Sequence, residues 1–197
     1  TTEKWQSHLK QAMAKKPDHI STYNLTIEPA TAFYKLKEKG KLILPHEDVQ
    51  LEMFEKTIHF LESEGYYQYE ISNFCKPGME SLHNINYWNN GEYLGVGAGA
   101  SSYLKGERFK NLNLPSQYIR EINAKGYAVD TRERLEPLEA MGETLMLGLR
   151  LLKGISIEVF EKRFQVSFQK VYGKALESLL NQELITLNQN RIALSRK

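Results

Sequence analysis

Four residues in one short stretch, HNINYW, carry side chains able to do chemistry together: His83, Asn84, Tyr87 and Trp88. Imidazole is a ligand for haem iron and for many other metals. Tyr and Trp rings beside it offer flat apolar surface against which a planar ligand can pack. If the stretch turns as a helix, the i, i+4 spacing stacks His83 with Tyr87 and Asn84 with Trp88. The plain alternative is a half-buried histidine whose nitrogens bond Asn84 and nearby backbone, and the residues alone leave both readings open.

The segments on either side must position this corner. YYQYEIS, from Tyr66, has the aromatic and β-branched content of a strand, ended by Asn73 and the Pro77-Gly78 turn signal. YLGVGAGASSYL, from Tyr93, reads as a second strand with Gly95, Gly97 and Gly99 two apart, hence on one face. A glycine face offers nothing to pack and suits the close approach of another backbone or a flat ligand. The same GxGxG is not a dinucleotide fingerprint, because SSYLKGERF follows it where a helix is required. Glu70, inside the aromatic strand, is costly to bury unpaired and is expected to pair with a basic residue or cap a backbone amide. Cys75 is expected to be an incidental thiol.

Upstream, Trp5, Leu9, Ala12 and Met13 share one helical face, Pro17-Asp18 ends that helix, and HISTYNLTI (19–27) reads as a buried strand stopped by Pro29. Helix, turn and strand make one αβ step of a parallel sheet, and ligands collect at the C-terminal ends of such strands, here Asn24 to Glu28 with Thr26 between them. A short amphipathic stretch follows to Pro45, then a helix over 46–64 with Gly65 beyond its end. RFKNLN pairs as a hairpin after the KGE turn. From Leu114 the pattern is helical: 115–124, 137–152 stopped at Gly154, and two more helices through Phe160 and Leu176. LITLNQNRIALS closes as a hairpin, and three helices with a terminal hairpin make a winged-helix topology. The recognition helix of such a module would carry only Lys170 and Lys174, too few for phosphate binding, so a packing or lid role is expected and no nucleic acid.

The 197 residues hold one large domain or two small ones, with 41% hydrophobic and 25% charged residues and a formal charge of +2. No apolar run approaches the ~20 residues of a membrane span, and a cytoplasmic location is expected. A single cysteine forms no internal disulfide and cannot by itself hold an iron–sulfur cluster. The chain opens at Thr1 within a helical pattern, which reads as a fragment.

YEISNF, then HNxxYW, then YLGxGAGA, flanked by PDHISTYNLTIEP and ETLMLGLRLLKGI, closely resemble the HemW-like radical SAM haem chaperones, relatives of oxygen-independent coproporphyrinogen III oxidase. The resemblance covers nearly the whole chain, but the family's CxxxCxxC cluster motif is absent, so the chain looks like the C-terminal half of such a protein. It implies an α/β fold, the last part of a radical SAM TIM-like barrel with its extended sheet over 1–113, and a HemN-type helical, winged-helix-like domain over 114–197. It implies an S-adenosylmethionine pocket touched by Thr26 and, beside the glycine segment, by Ser101. Many family members have histidine at that second position, in GAGAHS, so only a backbone or hydroxyl contact is assigned to Ser101. It implies haem or substrate contact at His83, Asn84, Tyr87 and Trp88, with His83 as haem-iron ligand and the [4Fe–4S] cluster held outside this chain. The expected function is to bind haem and pass it to acceptor proteins. The alternatives are oxidative decarboxylation of coproporphyrinogen III and a structural, partner-docking module. The expected partners are haem or a porphyrinogen, haem-accepting proteins and a second copy of the chain in a homodimer.

Overall fold

The Thr1 hydroxyl accepts from the Lys4 backbone N–H and caps the first helix, α1 (Thr2–Met13), so the helix predicted over this stretch begins at a satisfied N-terminus. The computed structural model describes residues 1–195, which fall into two compact units dividing between Ser81 and Leu82.

In the first unit α1 is followed by β1 (His19–Ser21), α2 (Ala32–Glu38), α3 (Glu47–Ser63), β2 (Tyr67–Glu70) and β3 (Asn73–Cys75). Helix α3 ends where expected, with Gly65 at φ +83° just beyond it, the left-handed conformation that glycine adopts freely. Leu9 and Met13 of α1, Leu61 of α3, Tyr66 and Phe74 are all buried and form the core beneath the sheet. The two helices are also pinned by one polar contact. Trp5 Nε1 donates to Thr57 Oγ1 at 2.7 Å, and that hydroxyl donates in turn to the Met53 carbonyl at 2.6 Å.

The expected parallel step is not made. A tight turn at Ile71-Ser72, braced by Gln68 Nε2 donating to the Ile71 carbonyl at 2.9 Å, folds the chain straight back into β3. That strand inserts between the other two in the order β1-β3-β2, antiparallel to both. The strand expected over 19–27 is cut to three residues for the same reason. Beyond Ser21 the last backbone bond across, among the described residues, runs from the Thr22 N–H to the Ser72 carbonyl at 2.8 Å, just ahead of β3, and Asn73 Nδ2 donates to the Tyr23 hydroxyl at 3.3 Å. Residues 22–28 have no regular structure.

The second unit opens with α4 (Leu82–Trp88), the turn predicted for HNINYW. Then come β4 (Ser101–Leu104), β5 (Glu107–Asn111), α5 (Pro115–Lys125), β6 (Val129–Arg134), α6 (Pro137–Gly148), β7 (Ile155–Ser156), α7 (Ile157–Phe164), α8 (Phe168–Asn181), β8 (Ile185–Asn188) and β9 (Arg191–Leu194). The glycine-rich strand is corrected to a loop. Tyr93 makes one antiparallel bridge to Tyr103, after which Gly97 (φ +106°) and Gly99 (φ +72°) take the chain out of extended geometry until Ser101. The close backbone approach expected there is real but internal, since a Cβ on Gly95 would stand 2.1 Å from the Ser101 carbonyl oxygen.

The RFKNLN hairpin forms as β4–β5, and β6 joins it antiparallel, so this sheet spans the expected boundary at 113/114. Charge at four of its six positions hid β6, VDTRER, from a pattern-based reading. The second core is built on Phe160, 1% exposed, whose ring meets Phe164, Phe168 and Tyr172 at centroid distances of 4.8, 5.1 and 6.0 Å. Met141, Leu176, Ile185 and Ile192 close around it. The terminal hairpin β8–β9 pairs with β7 in the order β7-β9-β8. Every strand pair among the described residues is antiparallel. No helix among them is long and apolar enough to cross a membrane.

Candidate functional site

Helix α4 sets the predicted residues in a chain of rings. His83 is exposed and meets Tyr87 edge-on at 4.6 Å, the i, i+4 contact the spacing predicts. Tyr87 in turn meets Tyr93 at 4.6 Å, again edge-on. Tyr93 is held by reciprocal backbone bonds of 2.9 Å to Tyr103 of β4, so the loop after α4 is fixed where it passes the helix. Asn86 secures the same loop from below, accepting at its carbonyl from Gly91 N–H (2.8 Å) and donating through Nδ2 to the Glu92 carbonyl (3.0 Å).

Tyr87, Trp88, Tyr93 and Tyr103 wall a cavity of about 310 Å³ with Arg108 and Glu143. The Arg108 guanidinium donates through Nη2 to both Glu143 oxygens. Burial is the largest influence on Arg108 and disfavours the cation, yet the adjoining Glu143 carboxylate more than offsets it and holds the pKa above its ordinary value. Tyr93 is also raised, mainly by burial. Buried Asn90, at φ +50° beyond the helix end, donates to Thr144 Oγ1 at 3.0 Å and to Glu143 at 3.4 Å. Arg150 lies 4.4 Å from the Trp88 ring centroid, while the Trp88 indole N–H is buried with no acceptor among the described residues. Arg163 of α7 donates to the Tyr103 hydroxyl at 3.2 Å and to the Asn89 carbonyl at 3.1 Å.

Of the four residues singled out in HNINYW, Tyr87 and Trp88 line this cavity, and His83 stands one ring away from it. Asn84 is half-buried on the same helix. Sequence reasoning missed Tyr93, Arg108 and Glu143. Tyr93 was in view as part of the glycine segment, but no local signal marks Arg108 or Glu143, which meet across 35 residues. Ser101 is exposed at the start of β4.

In the first unit, Thr26 lines a cavity of about 500 Å³ with Trp5, Tyr23, Asn24, Gln50 and Phe54. Thr26 and Glu28 are exposed. Aromatic walls with a few amide and hydroxyl groups are the usual make-up of a small-ligand site, and they suit a nucleoside-bearing molecule. Nearby, Glu70 is fully buried and accepts from Asn73 Nδ2, and Asn73 Oδ1 accepts from Ser21 Oγ. The Asn73 carboxamide thus meets the buried carboxylate. His19 Nε2 lies 2.8 Å from the Tyr69 hydroxyl, and burial lowers its pKa against the opposing pull of Glu70.

A [4Fe–4S] cluster does not fit this chain. Its one cysteine, Cys75, is fully buried with its pKa raised by burial, and no group of three or more His, Cys, Asp or Glu side chains disposed for a metal ion occurs among the described residues.

Comparison with known proteins agrees with these features. Residues 135–197 match the HemN C-terminal domain family. Over its whole length the chain is 39% identical to the haem chaperone HemW of Lactococcus lactis, covering 52% of that protein. It is 36% identical to the HemW of Bacillus subtilis over 96% of the chain and 50% of that protein. The mitochondrial radical S-adenosyl methionine domain-containing protein 1 of Danio rerio is 34% identical over 87% of the chain and 40% of its own length. Among solved structures, HemN of Escherichia coli, a coproporphyrinogen III oxidase and radical SAM enzyme, superposes on all of this chain and 49% of its own with a TM-score of 0.77 at 19% identity. The fold is therefore that of a HemN-type protein. Along nearly its whole length the chain is similar to HemW haem chaperones, it carries a HemN C-terminal domain over residues 135–197, and it spans about half the length of the curated relatives it matches.

Proposed function

We propose that this chain is the haem-binding half of a HemW-like haem chaperone, and that haem is taken up at the ring chain of the second unit. The observation that carries the reading is the line His83–Tyr87–Tyr93, which leads from an exposed imidazole into an aromatic-walled cavity holding an arginine. An exposed imidazole can ligate iron without first being dug out of a core. Tyr87 and Trp88 would cover the face of the macrocycle, and Tyr93, pinned by β4, would set the depth to which it enters. Bound iron would supply the coordination site; the chain's own part is to orient the porphyrin, shield it from water and release it to an acceptor protein. The HemW relatives carry that name, and this chain shares HNxxYW with the chaperone pattern.

S-adenosylmethionine belongs to the same reading. Thr26 and its aromatic-walled cavity in the first unit would hold one part of it. Residues 1–113 would be the end of a partial radical SAM barrel with its extended sheet, a reading that rests on the likeness to HemN rather than on the antiparallel sheet of the first unit. Residues 114–197 would be a winged-helix-like domain, for which the order α6-β7-α7-α8-β8-β9 and the β7-β9-β8 sheet speak. A cytoplasmic location and a homodimer complete the reading. The test is titration of the chain with haem, followed by Soret absorbance. A shifted band saturating at one haem per chain supports the reading, and a spectrum identical to free haem at all ratios rejects it.

A further inference from the structure

The cavity holds more polar machinery than an apolar macrocycle edge needs. At about 310 Å³ it lies at the lower end of the ~300–1,000 Å³ range of small-molecule sites, so it would take one edge of a porphyrin and leave the rest against α4. A vinyl edge would be served by aromatic walls alone. Here the walls enclose a guanidinium, and two more stand just behind them. Arg108 lines the cavity, Arg150 lies over Trp88, and Arg163 donates to the Tyr103 hydroxyl. Within the lining Arg108 faces one carboxylate, Glu143; Glu133, 60% exposed at its side chain, reaches Arg108 only at 3.5 Å.

Resting on the haem reading above, we propose that Arg108 is the docking point for a propionate carboxylate of the porphyrin, with Glu143 as the resident counter-ion it gives up. Guanidinium presents five donors in a planar fork, the geometry that captures carboxylates in bidentate fashion. Nη2 is committed to Glu143, and Nη1 reaches Glu133 only at 3.5 Å, so a closer carboxylate gains a strong donor pair on this side of the group. Glu143 is not stranded by the exchange, because Asn90 Nδ2 already donates to it at 3.4 Å and Asn90 is anchored to Thr144. A carboxylate that loses its only partner in a half-buried site is costly; one that keeps an amide is less so.

The test compares iron protoporphyrin IX with its dimethyl ester, which keeps ring and iron and lacks both negative charges. The unaltered chain should bind the free acid about tenfold more tightly than the ester, the difference expected for one charge-assisted carboxylate contact. Arg108→Gln should bring the acid-to-ester ratio close to one with the Soret position of the bound acid unmoved, because the iron ligand is untouched. Glu143→Gln, which removes the competitor, should raise affinity for the acid; if Arg108 served only as a structural partner of Glu143, both variants would weaken binding alike, and that result overturns the proposal. Equal affinity of the unaltered chain for acid and ester also overturns it while leaving the haem reading intact. Failure of the unaltered chain to bind either porphyrin removes the haem reading and this inference with it.

Discussion

Gly154→Ala tests whether the C-terminal sheet is as tightly joined as its geometry says. Gly154 sits at φ +65°, and a Cβ built there would lie 1.9 Å from the Ile192 carbonyl oxygen, 2.6 Å from its carbon and 2.8 Å from Ala193 Cα. All three are backbone atoms of β9, so no side-chain rotation relieves the clash. The left-handed conformation alone costs alanine about 1–2 kcal/mol. The overlap exceeds 1 Å, so the β7–β9 pairing of Ile155 with Ile192 must open. That sacrifices one or two ladder bonds at about 0.5–1.5 kcal/mol each and loosens the packing of Ile155 and Ile192 in the core. The whole effect should reach about 3–5 kcal/mol. Gly126 supplies the matched control, since it lies in the same unit at φ +78° with nothing within 4 Å of its Cβ position. Gly126→Ala should therefore cost only the conformational ~1–2 kcal/mol. Urea denaturation followed by far-ultraviolet circular dichroism measures both. If the two variants unfold at the same urea concentration, the close approach of β7 to β9 is wrong.

Two further outcomes follow from the first unit. Thr57→Val keeps the shape of the α1–α3 contact and removes the acceptor of the Trp5 indole N–H, so it should destabilise the chain by about 1–3 kcal/mol in the same assay, whereas Ser at this position should recover most of the loss. His19 concerns pH. Burial holds its folded pKa below the ordinary ~6.5, so the unfolded chain binds the proton more readily and stability falls as pH drops through that ordinary value. Between pH 8 and pH 5.5 the unaltered chain should lose more stability than His19→Gln, and equal losses would mean that this imidazole titrates alike in both states.

Local chemistry made the helices and hairpins readable in advance. Gly65 and the Asn-Gln-Asn turn mark boundaries with φ values that the residues themselves dictate, and α4 follows from the spacing of His83 and Tyr87, whereas the Thr1 cap of α1 was not read from the sequence. The sheet of the first unit was not readable, because its topology depends on a two-residue turn at Ile71-Ser72 inside a run that reads as one strand. The glycine segment failed for a related reason. Period-2 spacing of glycines fits a strand, but positive φ at Gly97 and Gly99 is invisible in the letters. Half of the candidate site was legible, since HNINYW lies in one stretch. Arg108 and Glu143 come from β5 and α6 and meet only when the sheet and helix pack, so no window of sequence could have joined them.

The claim on which the account turns is that haem enters beside His83. Soret titration of the chain and of His83→Ala with haem tests it most directly. His83 is exposed and its ring touches only Tyr87 among the described ring contacts, so the variant should fold normally. The account predicts tight binding by the unaltered chain and, in the variant, weaker binding with a displaced Soret maximum. Identical affinity and identical band position in the two proteins would contradict it.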